Sequence, residues 1–104
     1  MNLTEARSLV KNPKLITEVQ DRSDNLFNRV LIEFKNGYSL SIICCIDPNK
    51  NYTYGSSEGL YEIAPMFESD FAPELFDDKD KGDDVIGLCN IKKIVHYLNK
   101  ISNY

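Results

Sequence analysis

Residues Phe27 to Ile46 read FNRVLIEFKNGYSLSIICCI, two apolar runs on either side of Lys35-Asn36-Gly37. An Asn-Gly turn between apolar runs is the strongest short-range signal for a β-hairpin. Residue parity then chooses the turn. Side chains alternate with period two along a strand, so Val30, Ile32 and Phe34 share one face of the first strand, and Tyr38, Leu40, Ile42, Cys44 and Ile46 share one face of the second. A two-residue turn would set Phe34 beside Ser39 and bring each apolar face against a polar one. A three-residue turn, with Gly37 left-handed in a G1 bulge, pairs Phe34 with Tyr38 and Ile32 with Leu40 and places all eight on one side. The sequence predicts the bulged turn, because slipping by one residue would expose the whole set. The other face carries Arg29, Glu33, Lys35, Ser39 and Ser41 together with Leu31, Ile43 and Cys45, so a cover over one end of it is expected.

Around this ribbon the chain predicts an α+β fold: a mainly antiparallel four-stranded meander with a short N-terminal helix and a C-terminal amphipathic helix packed on it. Thr4 is the expected cap of a helix reaching about Lys11, with Leu3, Ala6, Leu9 and Val10 as its apolar stripe and Pro13 as its stop. Lys14 to Gln20 reads as a strand and Asp21 to Asn25 as the polar turn into the hairpin. A loop follows from Asp47 to Asn51, then Leu60 to Ala64 as a fourth strand ended by Pro65. The last element is the plainest. Asn90 caps a helix from Ile91 to about Ser102, with Ile91, Ile94, Val95, Leu98 and Ile101 facing the core and Lys92, Lys93, His96, Asn99 and Lys100 facing water.

At 104 residues the chain is expected to form one domain, 1–104, around one core. It has no apolar run of membrane-spanning length and no signal-peptide core, so a cytoplasmic protein without membrane contact is expected. Cys44, Cys45 and Cys89 fit buried reduced thiols. With one histidine and no C-x-x-C spacing, neither a metal nor another cofactor is expected.

The net charge of −4 is concentrated in one place. Between residues 68 and 84 stand Glu68, Asp70, Glu74, Asp77, Asp78, Asp80, Asp83 and Asp84 against Lys79 and Lys81, a local charge of −6 that leaves the remainder at +2. The chain lacks the basic face that direct nucleic-acid binding requires. Phe67, Phe71, Leu75 and Phe76 interrupt this acidic segment, so part of it is expected to pack while Asp77 to Asp84 stays solvated.

Three blocks, NGYSLSII (Asn36 to Ile43), YGSSEGLYEIA (Tyr54 to Ala64) and DDVIGLCNIKKIVHYLNKI (Asp83 to Ile101), cover over a third of the chain. They resemble a widespread set of small, mostly uncharacterised bacteriophage proteins. The resemblance implies a phage accessory protein and carries no catalytic signature. Its shared glycines have structural roles: Gly37 in the bulged turn, Gly59 at the start of a strand, Gly87 before the last helix.

Two functional readings follow. In the first, the protein binds and modulates a host protein, with Asp77, Asp78, Asp80, Asp83 and Asp84 occupying a basic groove meant for nucleic acid, as inhibitors of restriction or CRISPR systems do. The plainer account of those residues is a solvated, solubilising loop. In the second, Tyr52, Tyr54, Glu58 and Tyr61 form a contact loop, able to stack on a base and to offer Gly-Ser-Ser amides to an anion. The plainer account is a surface turn whose tyrosines fold back on the sheet. An enzyme has the least support: Glu58 and Glu62 share no face, and Cys89 and His96 stand about two helical turns apart.

Overall fold

A computed structural model describes residues 1–47 and 59–104. Helix α1 spans Leu3–Ser8, strands β1 to β3 span Ile16–Asp21, Phe27–Phe34 and Tyr38–Cys45, and β4 spans Tyr61–Phe67. Two further strands, β5 (Asp70–Phe71) and β6 (Ile86–Cys89), precede helix α2 (Ile91–Ser102). The fold is α+β as expected, but among the described residues the antiparallel sheet has six strands, not four: β1-β2-β3-β4 in meander order, with β5 and β6 sharing the far side of β4.

The hairpin adopts the bulged register. Ile32 pairs with Leu40 and Val30 with Ile42, the Gly37 amide donates to the Phe34 carbonyl at 3.1 Å, and Gly37 has φ +88°. A side chain there would be strained by the left-handed backbone, and its Cβ would stand 3.0 Å from the Phe67 ring. Val30, Ile32, Phe34, Leu40 and Ile42 are all buried on the helix-facing side, whereas Tyr38 and Cys44 are half-buried and Ile46, one residue past β3, is exposed. Each such side chain taken from water contributes about 1.5–3 kcal/mol. Asn36 anchors the turn to the helix layer: its amide nitrogen donates to the Ile101 carbonyl at 2.8 Å, and its oxygen accepts from the Tyr38 amide. It thereby satisfies one of the carbonyls left over at the end of α2.

Several local expectations need correction. Asn2, not Thr4, caps α1, accepting from the Glu5 amide at 2.8 Å; asparagine is the stronger capping side chain. The helix ends by Leu9, and Pro13 opens a single 3-10 turn, Pro13–Leu15, so β1 starts at Ile16. The turn into β2 is built by aspartates. Asp21 accepts from the Ser23 amide, and Asp24 accepts from the amides of Leu26 and Phe27.

Strand β4 runs through Pro65 and does not stop there. The Pro65 carbonyl accepts from the Ala72 amide at 2.9 Å, which places its backbone polar edge away from β3. The missing N–H therefore falls between the β5 and β6 pairings and removes no bond to β3.

Helix α2 starts where expected, with Asn90 accepting from the Lys93 amide at 2.9 Å. Its inward face is rotated from the expected stripe: Ile94, Tyr97, Leu98 and Ile101 are fully buried, and Ile91 is exposed. These residues, with Ala6 of α1, Val10 just after it, and Ala72, Leu75 and Phe76 of the acidic segment, close one core over one face of the sheet. Among the described residues, no helix lies on the opposite face.

Candidate functional site

The acidic segment packs in part, as expected, but Phe67 and Phe71 stay exposed, and Asp77 and Asp80, expected to be solvated, are bonded to α2. It enters the core through Leu75 and Phe76, and the Phe76 ring meets Tyr97 edge-on at 5.4 Å. Two aspartates then fasten it to α2. Asp77 takes Lys100 at 2.8 Å on one oxygen and His96 at 2.7 Å on the other. Asp80, only 9% exposed, takes Lys93 at 2.7 Å and a short hydrogen bond from the Tyr97 hydroxyl. The Tyr97 oxygen in turn accepts from the Asp77 amide at 3.1 Å. Tyr97, buried and bonded on both sides, is therefore the hub of the clamp. Positions 93, 96, 97 and 100 lie three or four apart and share one side of the helix. His96 and the two lysines, expected to face water alone, are the partners the segment folds against.

Charge states follow from these contacts. The Lys100 and His96 hydrogen bonds hold the Asp77 carboxyl below its ordinary value. Burial pushes Asp80 up, but the bonds from Lys93 and Tyr97 outweigh it and leave the carboxyl lowered. Burial, reinforced by Asp80, raises the Tyr97 phenol far above its usual range. A carboxylate with a lowered value stabilises the fold above the unfolded value, near 3.8, and that contribution is lost as pH falls through the lowered one. Asp80→Asn is expected to cost about 1.5–3 kcal/mol at pH 7, the range for hydrogen bonds to charged groups. Its stability should also change less than wild type's between pH 4 and pH 2. Asp21 and Asp24 are lowered too, by hydrogen bonds from their own turns, so denaturant melts of both proteins across that pH range, compared as a difference, isolate the clamp.

The clamp divides the aspartates proposed as a contact surface. Asp77 and Asp80 are turned inward to α2. Asp78 is almost wholly exposed, with Lys81 at 3.2 Å, and Asp83 and Asp84 are exposed. Asp83 and Asp84 stand with Glu74 around a shallow depression closed by Pro73, Lys81 and Gly82. Of the tyrosine-rich loop, Tyr52, Tyr54 and Glu58 lie outside the described residues. Tyr61 sits in β4, half-buried against the core, its hydroxyl raised by burial.

The free face of the sheet holds a feature that no single stretch of sequence announced. Register places Gln20, Leu31, Ser41 and Ala64 in one cross-strand row on that face. Small Ser41 and Ala64 on the two inner strands leave a depression, while the Glu68–Phe71 hairpin and Val85 rise beside it. The resulting groove has a volume of about 460 Å³.

Among the described residues no three histidine, cysteine, aspartate or glutamate side chains converge to hold a metal. Cys89 is buried, its thiol pushed up to about 11 by burial, and its sulfur faces the carbonyls of Ile86 and Gly87, while His96 is engaged with Asp77. No helix of the described residues is long and apolar enough to cross a membrane. Comparisons with protein-family models, curated proteins and solved structures match nothing to this chain.

Proposed function

We propose that this chain is a phage-encoded accessory protein, non-catalytic and acting in the host cytoplasm, that binds a host protein through carboxylates of its acidic segment. One observation carries the reading: the segment is fixed to α2 by Asp77 and Asp80, which leaves Glu74, Asp78, Asp83 and Asp84 held outward on a rigid base. A floppy acidic tail would lose conformational entropy on binding, whereas an anchored array has already been ordered by the fold. Outward carboxylates complement a basic groove of the kind that holds nucleic acid, including the grooves of restriction and CRISPR effectors. Association would be steered by charge and weakened by salt.

The test is capture from bacterial lysate with the tagged protein, followed by elution with duplex DNA. The expected partner is a nucleic-acid-binding protein that DNA displaces and that the Glu74→Gln, Asp78→Asn, Asp83→Asn, Asp84→Asn variant no longer retains. Equal retention by that variant, or a partner indifferent to DNA, would overturn the reading. The alternative, a nucleotide-binding module built on Tyr52 to Tyr61, draws no support from the described residues, where Tyr61 packs against the core.

A further inference from the structure

The groove on the open sheet face has charge at both ends and little at its centre. At one end Arg22 and Arg29 stand directly opposite each other: the Arg22 amide donates to the Arg29 carbonyl at 2.8 Å, extending the β1–β2 register by one residue. Like charges across a strand pair repel. Neither guanidinium is in an ion pair among the described residues. Arg22 is steered along β1 by a hydrogen bond from its Nε to Gln20, 2.7 Å away. Asp24 feels the charge of Arg29, but its carboxylate is committed to the amides of Leu26 and Phe27. Glu62 also lines the arginine end and has an interaction of its own.

At the other end the charges reverse. Glu33 faces Glu18 across the same strand pair, and Glu68 stands at the rim. Between the ends the floor is formed by Leu31 and Ala64, both more than nine-tenths buried although no helix of the described residues covers them. Arg29 and Glu33 are four residues apart on one strand, roughly 14 Å at about 3.4 Å per residue.

We propose that this groove binds an extended peptide segment of a partner protein, carrying a carboxylate and an amine four residues apart with an apolar side chain midway. The spacing is that of a strand laid along the groove. Residues one, three and five of an extended peptide point the same way, so the acid reaches Arg22 and Arg29, the apolar side chain rests on Leu31 and Ala64, and the cation reaches Glu33 and Glu68. A carboxylate between the paired arginines would relieve their repulsion, as an amine would relieve that between Glu33 and Glu18. The volume falls within the range of pockets that enclose small ligands and peptide side chains, and is far too small for a domain face. The groove takes Glu68 and Phe71 from the start of the acidic segment but uses none of Glu74, Asp78, Asp83 and Asp84, and it does not depend on the function proposed for them.

The probe is an acetylated, amidated pentapeptide with glutamate first, valine third, lysine fifth and serine between, titrated into the labelled protein and followed by amide chemical shifts. The reversed sequence is run beside it, because the chain can enter from either end. Saturable shifts centred on Leu31, Ser41 and Ala64 are expected. Arg29→Gln and Glu33→Gln should each weaken binding about tenfold, and a peptide with glutamine in place of both charges should bind wild type at least tenfold more weakly. Equal affinity for the neutral peptide, shifts located elsewhere, or no saturable shifts with either peptide would overturn the proposal. So would sedimentation showing that a second copy fills the groove and that the peptide fails to displace it.

Discussion

Tyr97→Ala is expected to cost about 3–5 kcal/mol, the range for truncating a buried aromatic ring. For a domain of this size that is a large share of the total stability, typically about 5–15 kcal/mol. Two effects add. The ring is wholly buried against Phe76, so its loss leaves a cavity between α2 and the acidic segment. The hydroxyl bridges the Asp77 amide and the Asp80 carboxylate, so its loss also leaves two polar groups without their partner. Tyr97→Phe separates these contributions, since it keeps the ring and should cost about 1–3 kcal/mol. Denaturant melts of both variants give the two magnitudes. If Tyr97→Phe were neutral, the clamp would rest on its ion pairs alone. Hydrogen exchange adds a spatial check: protection in residues 73–84 should fall before that of the β2–β3 hairpin.

The second large effect tests the register of the hairpin through two adjacent residues. Ile42→Asn is expected to cost about 4 kcal/mol or more, combining lost apolar burial with an amide placed in the core without hydrogen-bond partners. Ser41→Asn, one position earlier on the same strand, should change stability by about 0.5 kcal/mol or less, because its side chain lines the open groove. Ile42 is 1% exposed and pairs with Val30, whereas Ser41 pairs with Leu31 on the other face. Equal costs at the two positions, measured by urea denaturation, would mean that the pleat does not separate the faces as described.

What could be read from the chain and what could not divide along a physical line. The hairpin was legible because its information is local: the turn residues and the parity of the flanking side chains lie within twenty consecutive residues. Helix α2 was legible in extent for the same reason, since Asn90 and the apolar spacing are contiguous. Its facing was less so. Ile94, Tyr97, Leu98 and Ile101 have helical spacing equal to that of the stripe chosen with Ile91 and Val95, and only the partner waiting for the Tyr97 hydroxyl decides between them. That partner, Asp80, comes from the segment that composition alone would leave in water.

The same holds for β6. Ile86–Cys89 is a four-residue run that becomes a strand because β4 offers it an open edge. The groove was illegible for a stronger reason. Ser41 and Ala64 shape it, and Arg22 and Arg29 charge one end, yet Arg29, Ser41 and Ala64 come from three different strands and Arg22 from just beyond a fourth. Proximity of that kind exists only after the meander has formed.

Pro65 has a bearing on how the protein avoids sticking to itself. A foreign β-segment annealing beyond β4 would meet a ring with nothing to donate, flanked by a two-residue stub and a four-residue stub. Fibril-like stacking needs an unbroken ladder of donors and acceptors, and this border cannot supply one. Outward growth of the sheet is left to β1, where Glu18, Gln20, Asp21 and the neighbouring Arg22 present mixed charge to any intruder.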